Sequence, residues 1–251
     1  MRAEVHYSPV LLDELHLKDK NIVVIDVLRS STTIATALMN GAKEIIPVNS
    51  VDKAVKISGS LYNGITLRGG EQNGKMIEGF NLGNSPSEYT EAVVKGKSIV
   101  YISTNGSVAI VKGRYAKNLF VATFVNISSV VQKLEELKSD FLIVCAAKEN
   151  WFSLEDAVCA GKIVNKLAER LKDNLEIDDG GAAAVAMDNI YGNDVLGMLR
   201  TSEHGKYLIE IGFEKDLKYC AQLDTVPVVP VFSGSALKLP KESKSAARTQ
   251  K

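Results

Sequence analysis

The chain has no apolar run approaching the roughly 20 residues that a membrane-spanning helix needs, and its opening stretch, MRAEVHYSP, lacks a signal-peptide core. A cytoplasmic protein without a membrane partner is therefore expected. It has no surplus of charge either: 30 basic and 30 acidic residues give a net charge of zero, so the balance points to neither nucleic acid nor an anionic surface, and a small-molecule partner is expected. Cysteine is scarce. Cys145, Cys159 and Cys220 form an odd set in apolar surroundings without paired metal-ligand spacing, which fits a reducing compartment and buried thiols. Familiar phosphate-handling patterns are missing as well. No GxxxxGK[ST] or GxGxxG stretch occurs; Leu28 interrupts a DxDx[TV] pattern at Asp26; and Trp151 stands where a thiol-based site at Cys145 would need its arginine.

What is present is an ordinary soluble composition, 45% hydrophobic and 24% charged over 251 residues, enough to bury a large core without staples. The stretch organising the chain is 21–40, NIVVIDVLRSSTTIATALMN. Its apolar start reads as a strand buried on both faces, with Asp26 at the end. Arg29, Ser30, Ser31, Thr32 and Thr33 then open a helix, since Ser and Thr favour helix starts. A carboxylate, a guanidinium and a helix N-terminus thus converge, which is the makeup of a site for an anion and its metal ion. A plain capped turn with a solvated Arg29 would look the same.

Strand-like runs follow or precede at 2–8, 44–48, 65–67, 97–104, 118–122, 141–146 and 226–232, with helical spacing at 51–61, 127–137, 153–171, 181–191, 195–201 and 205–211. KNIVVID, a helix and AKEIIPV are echoed by KSIVYIS, a helix and AKNLFVA, as an internal duplication would produce. The expected fold is three-layer α/β/α with a mostly parallel sheet and two similar, intertwined halves, about 1–95 and 96–237, in a single α/β unit over 1–237. The basic stretch 238–251 reads as a disordered tail. Ligands in such sheets bind beyond the carboxyl ends of the strands, where Asp26, Glu71, the 103–105 cluster and the 145–148 cluster all fall.

Asp26, Glu71, Glu155, Asp156 and Asp224 are the carboxylates near strand ends or helix starts, and Mg²⁺ needs only one or two of them. Glu155 and Asp156 would equally suit a first helical turn, where acids favour the dipole. Arg29 and Arg68 could each fork onto a phosphate or sulfonate, or form half of a salt bridge. Asn81, Gly83, Asn84 and Ser85 could donate to an anion or simply form a loop. Thr104, Asn105 and Gly106 could form a second anion nest. His204, in SEHGKYL, reads as a capping or surface imidazole, and Cys145 as core.

Taken in order, VIDVLRSSTTI, GGE at 69–71, GFNLGNSP at 79–86, STNG at 103–106, CAA with FSLEDAVCAG at 145–161, and SEHGKYLIEIGFEKDLKYCAQLD resemble the 2-phosphosulfolactate phosphatase (ComB) family over nearly the whole chain. The resemblance implies a Mg²⁺-dependent hydrolase, a phosphoric monoester phosphatase, converting 2-phospho-3-sulfolactate to 3-sulfolactate on a route toward coenzyme M. It also implies an α/β/α fold of two similar halves and a tendency to form homo-oligomers. Joined to it, the expected roles are Asp26, Glu71 and Asp156 as metal ligands and Arg29, Ser31 and Thr32 on the phosphate. Asn105, Gly106, Ser107 and Arg68 are expected on the sulfonate or carboxylate, with Asp26 and Arg29 catalytic. Whether water or Asp26 attacks phosphorus stays open. Two other readings remain: a non-catalytic binding protein for a small phosphorylated or sulfonated acid, and a phosphatase for another 2-phospho acid.

Overall fold

A computed structural model of the chain describes residues 1–60 and 66–240. The strands are β1 (Arg2–His6), β2 (Asn21–Ile25), β3 (Glu44–Val48), β4 (Thr66–Gln72), β5 (Lys75–Met76), β6 (Ser98–Ile102), β7 (Asn118–Ala122), β8 (Phe141–Cys145), β9 (Glu176–Ile177), β10 (Val231–Ser233) and β11 (Ala236–Lys238). They form one sheet in the order β5-β4-β6-β3-β11-β10-β7-β2-β8-β1-β9. Two parallel blocks, β4-β6-β3 and β7-β2-β8-β1-β9, make up most of it. Between them sits the antiparallel hairpin β10-β11, pairing Val231 with Phe120 of β7 and Leu237 with Ile45 of β3.

The connectivity interleaves the two βα units. β6 lies between β3 and β4, and β2 lies between β7 and β8, so the first strand of each unit is held by the second and third strands of the other. Helices on both faces explain why such strands must be apolar throughout. Every residue of β2, β6 and β8 is buried. Successive side chains point to opposite faces: Val23, Ile25, Phe120 and Ile143 meet the helices Ile127–Leu137 and Leu154–Leu171. Ile22, Val24, Leu119 and Leu142 meet Ser30–Met39 and Gly106–Lys112 on the other face. Each such side chain contributes about 1.5–3 kcal/mol by leaving water. The result is the mixed α/β fold with a large, mostly parallel sheet flanked by helices that the pattern predicts.

Several boundaries differ from expectation for physical reasons. The strand expected at 226–232 contracts to β10, because Pro227 and Pro230 carry no N–H for a ladder. The strand at 65–67 extends to Gln72 in β4; its first residue, like Leu61 at the end of the helix expected over 51–61, lies outside the described residues. Gly69 and Gly70 disguised that extension. At Gly70, φ is +121° and a Cβ would lie 1.8 Å from the Ile102 carbonyl oxygen, so only glycine lets β4 pass this close to β6. Lys238, expected to open the tail, belongs instead to β11 and pairs with Glu44 at 2.9 Å; the rest of that expectation, 241–251, lies outside the described residues. An additional helix spans Glu214–Cys220. No described helix is long and apolar enough to cross a membrane.

Candidate active site

The carboxyl ends of β2, β4, β6 and β8 open onto one cavity. Asp26 and Ser30 line it from behind β2, Glu71 and Asn73 from the end of β4, Thr104 and Asn105 from behind β6, and Lys148 from behind β8; His204 and Tyr207 supply another wall. Each acidic group is fixed by the turn that carries it. Ser30 donates its N–H to Asp26 Oδ1 at 3.2 Å, Ser31 donates its N–H to the Asp26 carbonyl at 2.8 Å, and Asp26 returns its own N–H to Ser31 Oγ at 2.9 Å. The turn after β2 is thereby closed on itself. Glu71 accepts the N–H groups of Gly74 and Thr104, both at 2.6 Å, which ties the β4-β5 turn to the tip of β6. Asp156 accepts the N–H groups of Val27 at 2.9 Å and Ala147 at 3.3 Å, bracing the tips of β2 and β8 from behind.

Gly106 brings the two central helix starts together. A Cβ there would lie 2.6 Å from both Asp26 Oδ2 and Ser30 Cβ, so any larger residue would push the tip of β6 away from Asp26. The electrostatics of the resulting site are lopsided. Asp26, Glu71 and Asp156 are 6%, 7% and 3% exposed, yet none takes part in an ion pair among the described residues, whereas buried Asp216 has Arg29 at 2.7 Å and buried Glu155 has His204 at 3.5 Å. Burial pushes the Asp26 carboxyl up to about 6, with Glu71 adding and His204 and Ser30 opposing. Burial, reinforced by the Asp26 and Glu155 charges, also holds Asp156 well above the usual carboxylate range.

The residues expected to bind substrate divide sharply. Asn105 faces the cavity, its Oδ1 accepting the Glu149 N–H at 3.1 Å, and Gly106 abuts Asp26. Arg29 lines the cavity but is committed: Nη1 donates to Asp216 at 2.7 Å, Nη2 donates to the Gly74 carbonyl at 2.7 Å, and the guanidinium lies 4.1 Å from the Phe213 ring centre. It is a clamp and not a free phosphate fork. The Ser31 hydroxyl is taken by the Asp26 N–H; Thr32 donates to the Val27 carbonyl at 3.0 Å and lies 2.8 Å from Thr123 Oγ1. Both hydroxyls are engaged away from the cavity, and neither residue is among its lining. Ser107 donates its N–H to Ser103 Oγ at 2.9 Å and its hydroxyl to the Val48 carbonyl at 2.8 Å, so its N–H is unavailable to a sulfonate. Arg68 lies elsewhere, beside Asn81, Ser58 and Thr66 and 5.8 Å from the Phe80 ring centre.

Among the described residues, no three His, Cys, Asp or Glu side chains stand grouped as a ready metal site, so Asp26, Glu71 and Asp156 are not a preassembled ligand triad. Asp224 caps a helix instead, accepting the Ser128 N–H and hydroxyl, each at 2.6 Å. Cys145 is core, its thiol pushed well up by burial. Sequence reasoning passed over Asn73 and Tyr207 and read His204 as a capping or surface imidazole, whereas it lines the cavity. Ser202 does cap the helix start, its hydroxyl accepting the Gly205 N–H at 3.1 Å, and that local explanation hid the imidazole's place in the cavity wall.

Known proteins share this chain along almost its whole length. The family model described as 2-phosphosulpholactate phosphatase matches residues 7–235. A probable 2-phosphosulfolactate phosphatase of Clostridium acetobutylicum is 37% identical, covering 94% of this chain and 100% of that protein. Proteins with the same description from Carboxydothermus hydrogenoformans and Caldanaerobacter subterraneus subsp. tengcongensis are 40% and 39% identical; they cover 92% and 87% of this chain, and 92% and 90% of their own lengths. On a match of this extent, the chain belongs to the 2-phosphosulpholactate phosphatase family.

Proposed function

We propose that this protein is a Mg²⁺-dependent phosphatase that hydrolyses 2-phospho-3-sulfolactate to 3-sulfolactate and inorganic phosphate. The supporting observation is the buried, cation-free set of carboxylates at the strand ends, in a chain whose relatives are described as phosphatases. The donor set fits the metal: Mg²⁺ takes hard oxygen ligands and few carboxylates, and Asp26 and Glu71 present oxygens to the cavity with no lysine or arginine paired to them. Asp26 and Glu71 would hold the ion, with Asp156 close behind through the Val27 and Ala147 N–H groups. Mg²⁺ would supply Lewis-acid stabilisation of phosphoryl charge.

The chain's own groups do the rest. Asn84 holds its Oδ1 against the Tyr101 hydroxyl, leaving its amide N–H groups as the side-chain donors at the cavity. Lys148 pairs with the exposed Glu203 at 2.5 Å. Such surface pairs are screened by water and hold weakly, so a substrate sulfonate or carboxylate can displace Glu203 readily. The decisive measurement is phosphate release from 2-phosphosulfolactate with Mg²⁺, with and without chelator. Release that the chelator abolishes supports the reading. No phosphate above the blank would leave non-catalytic binding, and faster turnover of another ester in a panel of 2-phospho acids would reassign the substrate.

A further inference from the structure

We propose that His204, oriented by buried Glu155, is the acid that protonates the departing alkoxide when the ester bond breaks. This rests on the hydrolase reading above and adds a residue to it. The leaving group of a 2-phospho acid is a secondary alkoxide, a poor one unless a proton reaches it as the bond opens, so the cavity must contain a donor within reach. His204 Nδ1 lies 3.5 Å from Glu155 Oε1. Glu155 is 2% exposed and sits in the first turn of Leu154–Leu171. A buried carboxylate therefore backs one ring nitrogen, and Nε2 is the atom left for substrate.

Other groups around the cavity have different tasks: Asp26 and Glu71 are assigned above to the metal, Lys148 to the substrate anion, and the Tyr207 hydroxyl donates to the Asn73 carbonyl at 2.8 Å. The Tyr207 bond also pins the His204 helix to the β4-β5 turn. On the other side of that helix a Cβ at Gly205 would lie 1.6 Å from the Leu199 carbonyl oxygen, so the helix start is seated tightly. The imidazole is fixed where Asp26 also faces.

The step balances as follows. A water oxygen bonds to phosphorus, the bond between phosphorus and the C2 oxygen breaks with its electron pair staying on that oxygen, and the His204 Nε2 proton passes to it. The attacking water's surplus proton leaves with phosphate or solvent, and solvent reprotonates the imidazole. Glu155 is a positioning residue, because it acts only through the ring.

The test is a leaving-group comparison in saturating Mg²⁺, with wild type, His204→Gln and Glu155→Gln each assayed on 2-phospholactate and on 2-phospho-3,3,3-trifluorolactate. The fluorines make the departing oxygen less basic, so it needs the proton less. On 2-phospholactate, His204→Gln should lower kcat by about 10²–10⁴-fold while KM stays near wild type, and on the trifluoro ester that loss should shrink at least about tenfold. Glu155→Gln should show the same pattern with a smaller loss, and it carries the test if His204→Gln does not fold. Equal losses on both esters, or a wild-type kcat in either folded variant, would overturn the proposal. Wild type inactive on every ester, 2-phosphosulfolactate included, would instead sink the phosphatase reading itself.

Discussion

Two groups of buried acids sit within the same end of the molecule, and they are built oppositely. Asp216 is fully answered: Arg29 reaches one oxygen at 2.7 Å, and Ser85 donates its hydroxyl to the other at 2.6 Å. Asp26 and Glu71 accept backbone N–H groups and form no ion pair among the described residues. The first group joins the helix Glu214–Cys220 to the loop before Pro86 and to the turn after β2, so it holds structure. The second leaves carboxyl groups facing a cavity with backbone donors alone, which suits the cation proposed above and without one favours the protonated form of Asp26. Telling apart structural and functional acids thus depends on the partner and not on burial, which both groups share.

The largest effect should come from breaking the answered group. Arg29→Met leaves Asp216 buried and unpaired, and should lower unfolding free energy by about 3–5 kcal/mol in urea titrations, while Arg29→Met with Asp216→Leu should recover most of it. A loss below about 1 kcal/mol would mean that Arg29 is free to serve substrate, and the contrast would fail.

The unanswered group should respond with the opposite sign. Asp26 titrates near 6 when folded against 3.8 as a free side chain, so the folded state holds the proton more tightly and ionisation above pH 6 works against folding. Asp26→Asn should therefore stabilise the Mg²⁺-free protein at pH 8 by at most about 3 kcal/mol. That gain should fade as pH falls through 6 toward 3.8 and vanish below it. The same variant should lose phosphatase activity, and Mg²⁺ should raise the melting temperature of wild type but not of the variant. An unchanged or lowered stability at pH 8 would show that the site is already neutralised.

Smaller effects should fall outside both groups. Asp224→Ala removes the cap on Ile127–Leu137 and should cost about 1 kcal/mol with kcat unaltered. Arg68→Ala should change stability by less than about 0.5 kcal/mol and leave KM for 2-phosphosulfolactate at its wild-type value. A rise in KM would return Arg68 to the substrate.

The fold was largely legible because its strongest patterns are local. β8 is an unbroken apolar pentad, β2 and β6 each follow one polar residue with four hydrophobic ones, and the helix Ile127–Leu137 shows its buried face in its spacing. The short β5 and β9 carry no such pattern, and Gly69-Gly70 reads as a turn although Ile102 demands it inside a strand. The meeting of Asp26 and Glu71 at one cavity followed from strand ends. Its inner wiring did not, because Arg29 finds Asp216 across 187 positions and His204 finds Glu155 from a separate helix. Ser31 and Thr32 misled for a local reason: a helix start rich in hydroxyls can spend them on its own turn, as these do.

The hairpin β10-β11 gives the molecule a late keystone. The two parallel blocks exchange no strand pairing except through it, and it is built from residues 231–238. Because β2 must also wait for β7 and β8, early-made segments cannot settle beside their sequence neighbours, and sheet formation depends on distant contacts that close slowly. A nascent chain stopped short of Val226 would carry every group that lines the cavity yet lack the seam that fixes one bank of it against the other, so the capacity for chemistry should arise all at once, when residues 231–238 have been made.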